Sequence, residues 1–368
     1  MAKLVKKVVG REIRAKSKIL RKKPAPKPLS LKRAPQNPII EPRSYAWESK
    51  ATFNPAAFLS DGKVYIIYRA IGEDDSSTLG YARSDDGLRI RDRLPYFVYK
   101  RWSGGSKPDL SLSPIVYLSG GGWNGGCEDP RLTLLGDRVY MLYTAFDGWG
   151  SVRIALTSIS LEDFKKKKWN WQKAVMISPP HEIHKNWVLF PEKILGRFAI
   201  LHSLSPRIKI DYFNSLDELD GKNFIHSVHQ GSPEWGKRER GIRGVGPTPI
   251  KTRLGWLILY HGIEERDPGQ YKLFAMILDA KDPTRIIYRS PSPILEPEKF
   301  YENEGHKWGV IYSCGAVVLN KKLFVYYGGA DRVACVASIE LEDLLEDLRN
   351  NKVAKLKNNK LEDVPLPK

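Results

Sequence analysis

The sequence predicts an all-β chain, a five-bladed β-propeller that carries a basic N-terminal helical arm and a short C-terminal helix. Two observations predict it. First, one hairpin-like pattern recurs five times: "FNPAAFLSDGKVYIIYRA" from Phe53, "CEDPRLTLLGDRVYMLYTA" from Cys127, "LFPEKILGRFAILHSL" from Leu189, "VGPTPIKTRLGWLILYHGI" from Val245 and "YSCGAVVLNKKLFVYYGGA" from Tyr312. Each copy is a short lead-in, an apolar run, a turn containing Gly or Asn, and a second run rich in Val, Ile, Leu and Tyr, which is the signature of two antiparallel strands. Second, further strand-like stretches lie between the copies, such as "TLGYARSDDGLRI", "VRIALTSIS" and "YKLFAMILDA". Two hairpins per repeat make a four-stranded sheet, and five sheets set radially protect their edges by closing a ring. A pair of packed sheets would use the same strands but gives no reason for one lead-in to recur five times.

The elements follow in chain order. Residues 1–36 read as an arm and linker. Residues 1–33 hold 13 Lys or Arg against one acid, Glu12, so +12 of the formal charge of +18 sits there and the other 335 residues carry +6. The basic excess therefore belongs to the arm and not to a groove in the main domain, which argues against nucleic acid as the partner. Leu4, Val5, Val8, Val9, Ile13, Ile19 and Leu20 recur at roughly helical spacing before the "KKPAPKPLS" linker. An amphipathic helix that docks on another subunit, giving a homo-oligomer, is the expectation, with a solvated arm as the alternative and RNA or membrane-surface contact third.

Residues 37–347 form the expected propeller, and residues 348–368 a charged tail. Within the propeller, "SLEDFKKKKW" at 160–169 reads as a capped helical turn and "GEDDSS" at 72–77 as a turn cap without the spaced oxygens of a calcium loop. His181 and His184 in "PPHEIH" have near-metal spacing without an identifiable third ligand, so no metal is expected. "IELEDLLEDLRNN" from Ile339 reads as a closing helix with its leucines on one face. No apolar run approaches the roughly 18–20 residues that span a bilayer. The start lacks the apolar stretch of a secretory signal, and the three cysteines form no spaced set. The chain thus reads as a cytoplasmic protein with reduced thiols.

In a propeller the innermost strands line a central channel, and their lead-ins open at one end. The repeats would then deliver Asn54, Glu128, Asp129, Arg131, Glu192 and Lys193 to one funnel, with Arg69, His202, His261 and Asp331 from strand ends. So many polar groups at equivalent positions of a repeat point to a binding site, whereas any one of them alone would pass for a loop cap or surface ion pair.

The runs "EDPR" at 128–131, "LFPEKI" at 189–194, "GWLILYHG" at 255–262 and "YYGGAD" at 326–331 resemble, in this order, glycoside hydrolase family 130, the β-mannoside phosphorylases and β-mannosidases. The resemblance covers about residues 37–347. It implies a five-bladed β-propeller and an inverting enzyme. The enzyme would use inorganic phosphate to cleave β-mannosyl linkages of manno-oligosaccharides, yielding mannose 1-phosphate, with phosphate as co-substrate and no cofactor. It also implies roles. Asp129 is the general acid, acting through a sugar hydroxyl. Asn54, Arg69 and Asp331 hold the mannosyl unit, with Glu128 and Arg131 of the same motif counted among the substrate-binding residues. Arg153, Lys185 and His202 hold phosphate.

Phosphate is already an anionic nucleophile and needs cations to collect it, whereas a hydrolase must activate water with a second carboxylate. The basic trio favours phosphorolysis. Ser203, where the family's phosphorylases commonly place an arginine, removes one cation, and Glu192, Glu234 or Glu264 would supply a hydrolase's base. The alternatives are therefore a β-mannosidase on the same fold and a non-catalytic glycan-binding propeller.

Overall fold

The structure, a computed structural model, describes residues 29–100, 110–239 and 241–350. The expected arm helix and the tail after residue 350 lie outside the described residues. The described chain is mostly β, with few helices.

It begins with a two-residue strand, β1 (Lys32–Arg33), inside the segment expected to be linker. A meander follows: β2 (Ala51–Ser60), β3 (Lys63–Ile71), β4 (Ser77–Ser84) and β5 (Ile90–Arg93). The second meander is β6 (Gly126–Leu135), β7 (Arg138–Phe146), β8 (Val152–Ser160) and, after the short helix α1 (Leu161–Lys165), β9 (Val175–Met176). These two four-stranded antiparallel units join into one sheet through a single parallel pair, Ser77 with Gly126. A three-stranded sheet holds β10 (Val188–Leu189), β11 (Phe198–Ser203) and β12 (Lys209–Phe213). A five-stranded sheet holds β13 (Ile242–Val245), β14 (Ile250–Thr252), β15 (Gly255–Glu264), β16 (Asp267–Leu278) and β17 (Ile286–Arg289). After the one-turn helix α2 (Phe300–Asn303), the last sheet holds β18 (Ile311–Leu319), β19 (Lys322–Gly329) and β20 (Val333–Glu340), with β1 as its fourth strand.

The hairpin turns follow from local chemistry. Ser60 pairs with Lys63 across Asp61-Gly62, and Leu319 pairs with Lys322 across Asn320-Lys321. All four turn residues have positive φ, as two-residue hairpins matched to the strand twist require. The third repeat is the weakest copy. Its β10 has only two residues, because Pro191 cannot donate to a ladder and the chain turns back at Leu195-Gly196, both with positive φ.

The capped helical turn expected at 160–169 is α1, whose N-cap Ser160 hydroxyl accepts the Asp163 N–H. "GEDDSS" likewise turns on Asp74, which accepts the Ser76 N–H. The closing helix is α3 (Leu341–Asn350), and it buries Leu344, Leu345 and Leu348 against Leu323, Val325 and Ile339. Each such side chain contributes roughly 1.5–3 kcal/mol relative to exposure. Cys127, Cys314 and Cys335 are buried.

The last sheet is sealed by the N-terminal strand. Lys32 pairs with Ser338 and Arg33 with Ala337. Arg33 donates to Glu302, which is wholly buried, at 2.7 Å, and the Tyr327 hydroxyl donates to the same carboxylate at 2.7 Å. A buried charge so paired costs several kcal/mol if one partner is removed, so this join is specified by side chains as well as backbone.

Three inner strands break register at matching places: β2 between Phe53 and Ala56, β6 between Glu128 and Arg131, β18 between Ser313 and Gly315. These bulges let the strands converge. A Cβ on Gly315 would stand 2.7 Å from the Pro55 carbonyl oxygen, so β18 approaches β2 only with glycine there.

Candidate active site

The bulges also aim the site. Asn54 and Asp129 occupy them with φ near +48°, a conformation Asn and Asp tolerate better than other side-chain-bearing residues. Each precedes a proline, which leaves no amide hydrogen to continue the ladder. The two side chains therefore leave their strands and meet, with Asn54 Nδ2 donating to Asp129 Oδ1 at 2.7 Å. Gly328 of the "YYGGAD" run makes room, since a Cβ there would lie 2.1 Å from the Asn54 amide oxygen.

Arg69 on β3 lies beneath them, 1% exposed, with its guanidinium over the Phe53 ring. It donates to Asp129 Oδ1 at 3.2 Å, Glu128 Oε1 at 3.1 Å, the Ser77 hydroxyl at 3.0 Å and the Gly121 carbonyl at 2.9 Å. Asp331 reaches the same place from the turn after β19, with positive φ and 6% exposure.

Asn54, Arg69, Asp129 and Asp331 line one cavity of about 300 Å³, a size that suits a small ligand. Lys185 and His202 line it too. Lys185 Nζ donates to the Leu118 carbonyl at 2.7 Å and to Glu128 Oε2 at 3.1 Å. His202 Nδ1 is 2.9 Å from the Ser227 hydroxyl, and its ring rests against Trp187.

Electrostatics separate the two aspartates. Burial raises the Asp129 carboxyl, but Arg69, then Lys185 and Arg131, and the Asn54 hydrogen bond outweigh it and hold the group below its usual value. Asp331 is pushed up to about 6, mainly by burial and by the Asp129 charge, against the pull of Lys307 and Arg69. Burial lowers Arg69, but Glu128, Asp129 and Asp331 more than compensate, so its charge is secure.

Several residues named from the sequence sit elsewhere. Glu128 is wholly buried behind the cavity and touches Arg69, Ser119 and Lys185 instead of open space. Arg131 is buried as a brace: it donates to the Asp129 carbonyl at 2.6 Å, the Gly246 carbonyl at 3.2 Å and the Asn186 side chain at 2.9 Å. Arg153 is not among the lining residues; its Nε donates to the Ser178 carbonyl at 2.9 Å and its guanidinium stacks on Phe224.

His261 is buried and stacked on Tyr312, its centroid 4.0 Å away, and burial holds it down at about 3, hence neutral. Glu192 pairs with Lys251, and Lys193 covers the Phe198 ring, both away from the cavity, because the third repeat leaves its ladder at Pro191. His184 pairs with Glu182 at 2.7 Å, and the described residues hold no group of three or more His, Cys, Asp or Glu placed for a metal ion.

The cavity also has cations that repeat logic could not find. Arg238, Arg243 and Lys307 line it, from loops and a short strand outside the recurring pattern. Arg238 lies over the Trp235 ring at 4.3 Å and donates to the Ile242 carbonyl. Burial and the neighbouring Arg243 charge lower its pKa. The signal was present as "GKRERGIRG" at 236–244, a run that pattern alone reads as a solvated loop.

A buried acid, polar groups facing a sugar-sized space and a cationic wall are the equipment of a carbohydrate-active enzyme. The chain belongs to glycoside hydrolase family 130: the family profile, described as beta-1,4-mannooligosaccharide phosphorylase, matches residues 30–350. It is 36% identical over 328 residues to a 1,2-beta-oligomannan phosphorylase of Thermoanaerobacter, covering 86% of this chain and 99% of that one. It is 31% identical over 268 residues to a beta-1,2-mannobiose phosphorylase of Listeria innocua, covering 72% of this chain and 71% of that one. The solved structure of the Listeria innocua beta-1,2-mannobiose phosphorylase with beta-1,2-mannobiose superposes with a TM-score of 0.62 at 24% identity, over 88% of this chain and 100% of that one. Among the described residues no helix is long and apolar enough to cross a membrane.

Proposed function

We propose that this chain is an inverting phosphorylase of β-1,2-linked manno-oligosaccharides. Inorganic phosphate is the second substrate and mannose 1-phosphate the product. The observation that carries the reading is the make-up of the cavity wall. Among the described residues its carboxylates are Asp129 and Asp331, while Lys185, Arg238, Arg243, Lys307 and His202 supply positive charge or hydrogen bonds. Glu192, Glu234 and Glu264, the candidates for a hydrolase's base, are not lining residues and are ion-paired, with Lys251, Arg207 and Lys272 respectively.

The roles follow. Arg69, Asn54 and Asp331 grip hydroxyls of the mannosyl unit. A phosphate oxygen held by Lys185 and His202, with Arg243 and Arg238 beside them, attacks the anomeric carbon from the face opposite the leaving oxygen. The glycosidic bond breaks, and the leaving oxygen takes the proton that Asp129 supplies through a sugar hydroxyl. Cations that fix the nucleophile in line convert an encounter into a positioned attack. Phosphate also brings negative charge beside Asp129, which opposes Arg69 and Lys185 and favours the protonated acid that the step needs.

The β-1,2 linkage is supported by the names of the relatives at 31–36% identity, against 27% for a beta-1,4-mannooligosaccharide phosphorylase of Ruminococcus albus. Five antiparallel units around one cavity support a five-bladed ring, and the basic arm at 1–28 is assigned to contact between subunits of a cytoplasmic homo-oligomer. Deleting 1–28, which spares β1, should lower the assembly mass in solution; an unchanged mass removes that role.

The test of the activity is to incubate the protein with β-1,2-, β-1,3- and β-1,4-mannobiose, with and without phosphate. Mannose 1-phosphate formed from the β-1,2 sugar only when phosphate is present is the expected result. Free mannose without phosphate would replace the phosphorylase by a hydrolase, the reading that Ser203 in the cavity wall favours.

A further inference from the structure

Glu128 was expected among the substrate-binding residues, yet it is wholly buried and does not line the cavity. Its two oxygens hold two different cations of the cavity wall, Arg69 and Lys185. Oε1 accepts from Arg69 at 3.1 Å and from the Ser119 hydroxyl at 2.6 Å; Oε2 accepts from Lys185 at 3.1 Å. Arg69 in turn donates to Asp129, so a chain of contacts runs Lys185, Glu128, Arg69, Asp129. On the phosphorylase reading, on which this inference rests, Lys185 faces phosphate while Arg69 and Asp129 face the mannosyl unit.

We propose that Glu128 is a positioning residue that couples the two substrate sites, so that phosphate and mannoside bind with positive cooperativity. The physical basis is a shared counter-charge. One carboxylate cannot neutralise two cations fully. When phosphate draws on Lys185, the Glu128 charge falls more completely to Arg69. Arg69 is then held in one place for the sugar and pulls less on Asp129, which keeps its proton more readily. A buried group whose two faces answer to two ligands is the kind of contiguous element through which binding energies become linked.

Glutamine is the informative substitution. Its amide presents an oxygen on one side and a donor on the other, so it can satisfy Arg69 with Ser119 or Lys185, but not both. The full chain is titrated calorimetrically with inorganic phosphate, with and without a saturating thio-linked β-1,2-mannobiose, whose sulfur resists cleavage. In the wild type the sugar should tighten phosphate by about fivefold or more, within the usual range of coupling between two sites. In Glu128→Gln each ligand should still bind alone, and the factor should fall to about one.

A factor unchanged in Glu128→Gln, or a wild-type factor of one, overturns the proposal. If Glu128→Gln does not fold, Ser119→Ala decides: it removes one donor from the same carboxylate, and a reduced factor supports the proposal while an unchanged one defeats it. Wild-type protein that binds no phosphate would fail the phosphorylase reading and this inference with it. Protein that phosphorolyses the disaccharide without coupling would fail the inference alone.

Discussion

The cavity has two halves that handle charge in opposite ways. On the side of Asn54, Arg69 and Asp129, the buried guanidinium is matched by two carboxylates, Glu128 behind the wall at 3.1 Å and Asp129 at 3.2 Å, so no positive charge is left uncountered and the surface is rich in directional hydrogen-bonding groups. On the other side Arg238 leans on a backbone carbonyl and an indole face, and the exposed Arg243 lines the cavity beside it. A surface whose cation is already countered suits a neutral sugar, whose hydroxyls need donors and acceptors and no free positive charge. An unmatched cluster of cations stores repulsion that an anion relieves. Lys185 stands at the seam, with one foot on Glu128.

That contrast can be broken at four places, in falling order of effect. Asp129→Asn removes the proton donor while keeping shape and hydrogen bonds. Turnover to mannose 1-phosphate should fall by roughly 10² to 10⁴, the usual contribution of a general acid; near-normal rates would take Asp129 out of the chemistry. Lys185→Ala strikes the seam. It should raise the phosphate KM by roughly ten- to a hundredfold, the loss of one charge-assisted bond, and change the mannoside KM far less. Equal changes in both constants would erase the division into halves.

Arg243→Ala tests whether the cations outside the repeats belong to the phosphate half. A rise in phosphate KM of about threefold to tenfold is expected from an exposed charge that contributes on the order of 1 kcal/mol. The mannoside KM should stay unchanged, and an unaltered phosphate KM would leave Arg243 as surface charge only.

The fourth place is Asp331, and it concerns stability. Its carboxyl titrates at about 6 in the folded chain against 3.8 as a free side chain. The folded state therefore holds the proton more tightly. Asp331 adds stability that is complete below about pH 4 and is lost as pH rises through 6, leaving a cost of up to about 3 kcal/mol above it. Asp331→Asn should raise the melting temperature at pH 7.5, not at pH 4, and weaken mannoside binding. A melting temperature equally shifted at both pH values would show that ionisation of this group is not the cause.

Most of the site was legible because it sits on repeats. Asn54 and Asp129 stand at the same point of two copies of one hairpin, so a pattern in the sequence became convergence in space. The same reasoning placed Glu128 and Arg131 in the funnel, where burial turns them into braces; alternation along a strand shows which face a side chain takes, but a bulge resets it within one residue. Glu192 and Lys193 were carried astray by a copy whose strand stops at Pro191. Arg238 and Arg243 had no repeat to announce them, since a loop residue's position depends on the whole path of the chain. Arg153 was assigned from resemblance alone, and its backbone contact to Ser178 is invisible to any motif.

The two-residue strand at Lys32–Arg33 has a consequence for how the molecule comes into being. Its partner stretch, Ala337 and Ser338, is about three hundred positions later in the chain. During synthesis β1 must wait for this partner while every intervening sheet is translated, and the last sheet cannot be completed until β20 leaves the ribosome. Closing so distant a pair is entropically costly and slow compared with forming the local hairpins. Local hairpins are thereby favoured to form before this distant pair, and Arg33 can reach Glu302 only after the last sheet has been made.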